Sequence, residues 1–373
     1  MTHAPSREKL FIAIALILPV LMVVGLLEIT LRFLPVGTGL STQAVTQDQP
    51  IARFTPNQNF TWSDEWNFQI VNQGRVNNDG FVNDQDYDPA DTRPLMAVIG
   101  DSYIESLMVP YAQTLQGRLA QESENHARIY SFAASGAPLS QYLVWARYAH
   151  DTYRPQALTI LIVGNDFDES LPAYDLKQVF HQFAPDEQGR MVPRLIQEYH
   201  PNWKRDIIKR SALARYIFFN LSAWQTWAKI KQFLMRQDMP EAVYAGNTSA
   251  DTDSQRMADS KMAVDLFLAQ LPQNSGLKPK DIILIMDASR GDIYIGKPES
   301  ERGYYFDVMR RYVITQARQK GYHVIDMEPV MAAHYQKNKQ KFEFPSDAHW
   351  NGLAHELAAK EIQKTSIFQK LIQ

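Results

Sequence analysis

Short apolar segments alternate along most of the chain with segments of helical periodicity. Five of the apolar segments are nearly continuous, as in strands that are buried on both faces of a parallel sheet. Between and after them, apolar residues recur three or four positions apart, which is typical of amphipathic helices. The alternation predicts an α/β fold with helices on both faces of one sheet. The predicted strands are residues 95–100, 129–134, 157–163, 281–286 and 322–327, and the predicted helices are residues 114–121, 141–150, 302–320 and 352–364.

The longest apolar segment lies near the N-terminus. Residues 10–27 carry no charge, follow Arg7 and Lys9, and are long enough to cross a bilayer. The segment continues into Glu28 and Arg32 without the short apolar core and small-residue cleavage site of a signal peptide, so we expect an uncleaved anchor over residues 10–34. The basic residues before the span place residues 1–9 in the cytoplasm and the rest of the chain outside it, in the periplasm if the cell is Gram-negative. A buried helix of a soluble protein is the alternative, but the terminal position and the charged start argue against it.

Two regions interrupt the regular alternation. Residues 35–94 are rich in Asn, Gln, Asp and aromatic residues and predict an irregular extension with short strands. Residues 169–273 predict a helical insertion into the α/β domain, which spans residues 95–373. Within the insertion, residues 204–236 interleave basic and aromatic side chains, which suits a lid, a partner site or an anionic membrane surface. The same pattern also suits amphipathic helices packed on the core with solvated basic faces. Residues 245–260 are polar and predict a mobile connection.

Composition narrows the functional classes. A length of 373 residues with 45% hydrophobic residues is enough for one large domain with an insertion. The formal net charge of −3 gives no support for a nucleic-acid binder. The absence of cysteine excludes disulfides, thiolate metal sites and a cysteine nucleophile, and it is compatible with an oxidising compartment.

The first predicted strand ends in Gly100, Asp101 and Ser102. Gly100 lets the backbone turn, so that Ser102 lies at the carboxyl edge of the sheet, where open α/β sheets place their ligands. A serine hydroxyl becomes a nucleophile when a neutral imidazole accepts its proton and a further group orients that imidazole. His349, in the loop before the last predicted helix, is the candidate base, and Asp347 is its candidate orienting partner. Each segment alone is also compatible with a polar turn, and Asp347 with His349 is compatible with half of a metal site.

Acyl transfer also needs hydrogen-bond donors for the oxyanion that forms on the attacked carbonyl. The candidates are the backbone N–H of Ser102, Gly136 after the second strand, and the Asn165 amide after the third strand. Gly136 and Asn165 also have ordinary roles in turns, but the three donors lie at the ends of successive strands. His355 lies six residues beyond His349 and off its helical face, and no tight His/Asp cluster suggests a metal ion. The chemistry requires no cofactor.

Four blocks together resemble the SGNH (GDSL-type) hydrolase superfamily. The resemblance covers residues 95–373 without the insertion. It implies a three-layer α/β/α flavodoxin-like fold with about five parallel strands. It also implies that Ser102 is the nucleophile, His349 the base and Asp347 its partner, with an oxyanion hole formed by Ser102, Gly136 and Asn165. The four blocks are Gly100-Asp101-Ser102, Gly136, Gly164-Asn165-Asp166 and Asp347-Ala348-His349.

Two features depart from the usual pattern of that superfamily. One residue rather than two separates Asp347 from His349, and this Asp-x-His-Trp form is similar to that of envelope polysaccharide O-acetylation proteins. Residues 133–136 lack the Asn that often precedes the glycine of the second block. The first departure leaves Asp347 less firmly assigned than His349. It makes Asp166 a substitute candidate, although a structural role suits Asp166 better.

The candidate residues predict a membrane-anchored serine enzyme outside the cytoplasm that acts on O-acyl esters, as an esterase or as an O-acyltransferase. The likeness of residues 347–350 points to an acylated glycan, of the cell envelope or an exopolysaccharide, as the substrate. The membrane is a partner through the N-terminal helix, and an envelope protein is a further candidate partner. The alternative is a non-catalytic assembly or glycan-binding scaffold protein that binds through residues 204–236. A lipase-like enzyme would need a long apolar groove near Ser102, and the sequence has no obvious apolar lid for it.

Overall fold

A computed structural model describes residues 7–221, 244–245, 248–298 and 301–373. Contacts divide the chain into two units. The small unit contains Met1–Leu40, Phe60–Gln73 and Asn202–Asp238, and the large unit contains Ser41–Asn59, Gly74–Pro201 and Met239–Gln373. Residues 222–236, the second half of the predicted basic and aromatic segment, lie outside the described residues.

Strands and helices alternate along the large unit as the sequence predicts. In chain order the strands are β1 (Gln58–Asp64), β2 (Ile70–Val76), β3 (Leu95–Gly100), β4 (Arg128–Ala133), β5 (Ala157–Ile162), β6 (Gln182–Pro185), β7 (Met191–Arg194), β8 (Tyr244–Ala245), β9 (Thr248–Ser249), β10 (Ile282–Met286) and β11 (His323–Asp326). The helices are α1 (Arg7–Leu31), α2 (Ser102–Glu105), α3 (Leu115–Glu122), α4 (Leu139–Tyr153), α5 (Trp203–Arg210), α6 (Ala212–Arg215, continued by a π-helical turn over Tyr216–Asn220), α7 (Ser254–Ser275), α8 (Arg290–Ile295), α9 (Tyr305–Gln319), α10 (Met327–Asn338), α11 (Gly352–Gln363) and α12 (Ser366–Leu371).

The five predicted strands form one parallel sheet in the order β11-β10-β5-β3-β4. Val98 of β3 lies opposite Ser131 of β4 on one side and Thr159 of β5 on the other. Counted in chain order from the β4 edge, this is the 2-1-3-4-5 order of flavodoxin-like folds, so the predicted fold class is confirmed. The strand order reverses between β3 and β5, because β4 lies on one side of β3 and the later strands lie on the other. Ligands of such sheets bind at the carboxyl ends of the strands at this reversal, which is where β3 delivers Ser102.

Helices cover both faces of the sheet and make it the middle of three layers. On one face, apolar side chains of β3, β4 and β10 pack with α3, α10, α11 and α12 in a continuous buried cluster that includes Met96, Val98 and Ile285. On the other face α4 packs on β3 and α7 packs on α4 and α9. The sheet positions are almost wholly buried because both faces are covered, which explains why their sequences lack alternation.

Helix α7 corrects the predicted mobile connection over residues 245–260. Asp253 caps α7 by accepting a hydrogen bond from the Arg256 N–H at 2.9 Å, so the helix begins inside the segment predicted to be mobile. Val264, Phe267 and Leu271 are buried at helical spacing. The prediction of a mobile connection is therefore wrong from residue 254 onward. The prediction failed there because the first turns of α7 are polar and carry few buried side chains.

The small unit contains α1, most of hairpin β1–β2, and helices α5 and α6. The stretch Lys9–Leu31 within α1 is long and apolar enough to cross a bilayer, and its apolar window is not buried by the rest of the chain. A membrane anchor and a signal sequence both satisfy that criterion.

Candidate active site

The turn after β3 presents Ser102 at the carboxyl edge of the sheet. A Cβ at Gly100 would lie 2.5 Å from Cγ1 of Ile104, so only glycine allows this close approach of strand and helix. The buried Asp101 caps α2 by accepting the Tyr103 N–H at 2.9 Å. Ser102 is the first residue of α2, and the N–H groups of the first helical turn have no acceptor within their helix. The backbone N–H and the hydroxyl of Ser102 are both placed for chemistry at this edge.

The structure brings Ser102, His349 and Asp347 together. Nε2 of His349 lies 2.8 Å from Oγ of Ser102, and Nδ1 of His349 lies 2.5 Å from Oδ1 of Asp347. The same Asp347 oxygen accepts the backbone N–H of His349 at 2.9 Å, which closes a tight turn across the single intervening residue. With Asp347 accepting from Nδ1, the neutral imidazole keeps its proton there and Nε2 is a hydrogen-bond acceptor toward the Ser102 hydroxyl.

Electrostatics stabilise the pairing of His349 with Asp347. Burial lowers the pKa of His349, but the hydrogen bond and charge of Asp347 outweigh burial and raise that pKa above its usual value. Burial raises the pKa of Asp347, and the hydrogen bonds and charge of His349 outweigh it, so the net shift is downward. Burial raises the pKa of Asp101 to about 6. Its Oδ2 lies 3.3 Å from Oγ of Ser102.

Gly136 occupies a turn that α2 holds in place. The Ala137 N–H donates to the carbonyl of Ala134 at 3.2 Å, and Gly136 has a φ of 78°, which suits the third position of a type II turn. At the second position, the N–H of Ser135 donates to Oε2 of Glu105 at 3.0 Å and the Ser135 hydroxyl donates to the same oxygen. The buried Glu105 therefore links the helix that begins at Ser102 to the turn that carries Gly136.

The Asn165 side chain is held by a charged pair. Its Nδ2 donates to Oε2 of Glu169 at 3.0 Å, and Nζ of Lys177 lies 2.8 Å from the same carboxylate oxygen and 2.7 Å from Asp175. The Lys177 ammonium is also the nearest atom to a Cβ built on Gly136, at 3.7 Å. The two predicted donor positions, Asn165 and Gly136, thus share Lys177 as a neighbour.

Two other polar residues that were candidates from the sequence, Asp166 and His355, are buried and hydrogen-bonded within the fold. Asp166 is fully buried and accepts the Val163 N–H at 2.8 Å and the Tyr142 hydroxyl at 3.1 Å. Burial raises its pKa well above the usual value, which favours a neutral carboxyl group. His355 is also buried, where its Nδ1 accepts the Leu115 N–H at 3.2 Å and its Nε2 lies 3.1 Å from the Ser106 hydroxyl. Burial lowers the pKa of His355 to about 3, so the ring is neutral.

A network behind the histidine loop went unpredicted from the sequence. The indole N–H of Trp350 donates to Asp287 at 2.7 Å, and Arg290 donates to the Tyr103 hydroxyl at 2.9 Å. The ring of Tyr103 lies 5.0 Å from the His349 ring between centroids, and its hydroxyl contacts the carbonyl of residue 348 at 3.3 Å. Asp287 and Arg290 follow β10 at the same sheet edge, which is the one signal that could have identified them.

Within the ranges that the structure describes, no group of three or more His, Cys, Asp or Glu side chains is arranged to hold a metal ion.

Comparisons with known proteins find similar chains among solved structures. No protein-family model and no curated protein matches the sequence. Similar solved structures include a member of the lipolytic protein G-D-S-L family from Veillonella parvula DSM 2008, with 12% identity, a TM-score of 0.37, and coverage of 73% of this chain and 97% of that chain. An acetyl xylan esterase has 11% identity, a TM-score of 0.39, and coverage of 72% and 97%. A lipase/acylhydrolase from Enterococcus faecalis has 9% identity, a TM-score of 0.37, and coverage of 75% and 95%. Similarity this distant transfers neither an activity nor a substrate to the chain.

Proposed function

We propose that this chain is a membrane-anchored serine esterase or O-acyltransferase of the SGNH type, acting outside the cytoplasm on an acylated glycan. The observation that carries the proposal is the hydrogen-bonded series from Ser102 to His349 to Asp347, with 2.8 and 2.5 Å separations. An isolated serine hydroxyl is a weak nucleophile, and this arrangement supplies both the base and the group that orients it. The four motif blocks at residues 100–102, 136, 164–166 and 347–349 support the assignment to the superfamily.

In the acylation half-reaction, Oγ of Ser102 attacks the ester carbonyl carbon while Nε2 of His349 accepts the serine proton. The carbonyl oxygen becomes an oxyanion that the N–H groups of Ser102 and Gly136 and the amide of Asn165 stabilise. The C–O bond of the ester then breaks, and imidazolium His349 gives its proton to the leaving alkoxide. The products are the free alcohol and an acyl group on Ser102.

In the second half-reaction, a hydroxyl group attacks the acyl-enzyme. His349 takes the proton of the attacking hydroxyl, the oxyanion forms again, and Ser102 leaves with its proton restored. If the attacking group is water the enzyme is an esterase, and if it is a sugar hydroxyl the enzyme is an O-acyltransferase. Acetyl is the proposed acyl group, and the Asp347–Trp350 likeness to polysaccharide O-acetylation proteins supports a glycan.

The anchor and the location belong to the same proposal. The unburied apolar stretch of α1 supports a single span, and Arg7 and Lys9 before it support a cytoplasmic N-terminus with the large unit on the other side. In a Gram-negative cell this is the periplasm, where envelope glycans are present.

Covalent labelling with a fluorophosphonate tests the nucleophile. Full-length chain in detergent is treated with the probe in excess, and single-turnover labelling is compared with Ser102→Ala and His349→Ala. We expect labelling of the wild type and none of either variant. Ser366→Ala and His334→Ala are the matched controls, because both residues lie outside the site, and both should label like the wild type. Absence of labelling in the folded wild type would contradict the enzyme proposal and favour the scaffold alternative.

Partition of the acyl-enzyme distinguishes the two reactions. After Ser102 is acetylated by an aryl acetate, release of acetate to water is compared in the presence and absence of a glycan acceptor. Transfer to the acceptor at the expense of acetate identifies an O-acyltransferase, and unchanged release of acetate identifies an esterase.

A further inference from the structure

The last turn of α1 is a structural part of the small unit. The Glu28 carboxylate accepts hydrogen bonds from the N–H of Ala212 at 3.1 Å, the N–H of Leu213 at 2.9 Å and the hydroxyl of Ser211 at 2.8 Å. These groups begin α6, where N–H donors have no acceptor within the helix, and a carboxylate there also complements the helix dipole. The apolar helix therefore supplies the cap of another helix in the same unit.

Apolar packing reinforces this link. Leu31 is buried in a small cluster with Val36 and Ala212, against which Phe68 and Tyr216 pack. Removing α1 as a leader would expose this cluster and leave the start of α6 without its acceptor. The α1 helix is thus built into the fold, as expected of a permanent anchor rather than a cleaved signal sequence.

A second polar residue closes the other end of α6. The buried Asn220 accepts the Gly37 N–H at 3.1 Å and donates to the Ser63 hydroxyl at 2.7 Å. It thereby joins the π-helical turn to the chain that leaves α1 and to strand β1. Glu28 and Asn220 together fix α6 and the hairpin next to the end of the apolar helix.

The small unit exposes most of the large apolar side chains that lie outside α1. Of thirteen such exposed residues among the described part of the chain, nine belong to the small unit, although the large unit is several times longer. Trp66 is 68% exposed, Trp203 is 66% exposed and Phe33 is 85% exposed. The nine residues are Phe33, Leu34, Trp66, Val71, Trp203, Ile207, Ile217, Phe218 and Leu221.

Contacts place several of these side chains close to the end of α1. The backbone carbonyl of Trp66 accepts the Tyr216 hydroxyl at 2.6 Å, and the rings of Phe68 and Tyr216 are 5.6 Å apart. Tyr216 packs on the cluster that contains Leu31, the last residue of α1, and Phe218 follows in the same turn. Tryptophan and tyrosine concentrate at membrane–water interfaces because their rings are apolar at one end and polar at the other.

Charge complements this apolar surface. Helix α5 carries four basic residues and one acidic residue, and Arg215 adds a further positive charge in the unit, whereas Arg32 is paired with Glu28 at 2.9 Å. Basic residues beside a membrane span are attracted to anionic lipid headgroups. Exposed aromatic residues with flanking basic residues are the combination that interfacial helices use.

We propose that the small unit is a membrane-surface platform whose exposed aromatic side chains, including Trp66, Trp203 and Phe218, lie in the interface of the bilayer that α1 spans. Its basic residues contact anionic headgroups. The platform fixes the end of the span at the surface through Glu28 and Leu31. This inference rests on the membrane anchoring proposed above and is independent of the esterase chemistry.

Single-cysteine variants test the platform, because the sequence has no cysteine and each variant reports one position. The full-length chain is reconstituted in vesicles of phosphatidylcholine and phosphatidylglycerol with a nitroxide at Trp66→Cys or Phe218→Cys. Leu16→Cys in α1 is the lipid reference. Ile295→Cys, an exposed apolar position of the large unit, is the matched aqueous reference. We expect residues 66 and 218 to be more accessible to oxygen than to a water-soluble nickel chelate, between the two references.

Each result is decisive. If positions 66 and 218 match position 295 while position 16 reports lipid, the platform is overturned and the anchor stands. If position 16 also reports water, both are overturned, and fluorophosphonate labelling of Ser102 remains a separate test of the enzyme.

A second measurement avoids cysteine substitution. Brominated lipids quench tryptophan fluorescence at membrane depth, and we expect Trp66→Phe and Trp203→Phe each to lose part of the quenching seen in the unmodified chain. Quenching that both variants retain in full would overturn the platform.

Discussion

Glu105 accepts two hydrogen bonds from Ser135, one from its backbone N–H at 3.0 Å and one from its hydroxyl. This carboxylate is buried, and burial raises its pKa to about 7. The proposed nucleophile and the proposed oxyanion-hole turn are therefore joined through a group that titrates near neutrality.

The first prediction concerns the stability that Glu105 confers. Its folded pKa of about 7 exceeds the usual 4.5, so its contribution is fully present below pH 4.5 and is lost as the pH rises through 7. At about 1.4 kcal/mol per pH unit the loss is on the order of 3 kcal/mol. Glu105→Gln does not titrate, so the difference in unfolding free energy between wild type and variant should decline across this range. Parallel stability curves for the two proteins would contradict the prediction.

The second prediction concerns the pH dependence of the rate. Asp347 raises the pKa of His349, and the base acts only when neutral, so activity should rise with pH through that elevated pKa. Asp347→Asn removes the charge that raises the pKa, which moves the acid limb of kcat/KM to lower pH. It also removes the group that holds the tautomer, and kcat should fall roughly 10³- to 10⁴-fold. The measurement is a pH–rate profile with an aryl acetate.

Asp166→Asn is the control for that profile. Asp166 contacts Tyr142 and Val163 rather than His349, so its variant should lose stability without shifting the acid limb. A shift in Asp166→Asn and none in Asp347→Asn would reassign the partner of His349 to Asp166.

The strands were predictable because strands that are buried on both faces of a sheet have nearly continuous apolar sequences. Ala157–Ile162 and Ile282–Met286 differ from their predicted bounds by one residue at one end. Asn351 caps the last long helix, since its side chain accepts the N–H groups of Leu353 and Ala354. The start of helix α7 was predicted as a mobile connection because its first turns are polar and its apolar stripe emerges only from Ser260 onward.

The candidate site was predictable where strand ends, and the loop before the last long helix, specify it. Ser102, Gly136 and Asn165 follow successive parallel strands, so their proximity to one sheet edge follows from topology. The residues that hold these positions in place could not be predicted from topology. Glu105 meets Ser135 thirty residues away, and Arg290 meets Tyr103 across 187 residues, through packing that leaves no periodic signal in the sequence.

The third prediction tests Glu169 as a positioning residue for Asn165. Asn165→Ala should lower kcat roughly 100- to 1000-fold, the usual effect of removing one oxyanion donor. In the unmodified chain, Nδ2 of Asn165 donates to Glu169 at 3.0 Å. Glu169→Ala removes this acceptor and releases the Asn165 amide, so kcat should fall with little change in KM. Glu169→Gln keeps an oxygen acceptor and should restore most of the rate. A loss that appears in KM, or one that glutamine fails to rescue, would contradict the positioning role.

The fourth prediction separates the backbone role of Gly136 from its place in the site. Gly136 and Gly189 have φ values of 78° and 77°, and a Cβ at Gly189 meets nothing within 4 Å. Each glycine-to-alanine change forces a left-handed backbone on a residue with a Cβ, at a cost of about 1–2 kcal/mol. Thermal unfolding should therefore shift similarly in both variants. In Gly136→Ala the strained turn also moves the N–H proposed to stabilise the oxyanion, so kcat should fall in that variant alone. Equal activity in the two variants would remove Gly136 from the oxyanion hole and leave it a residue of turn geometry.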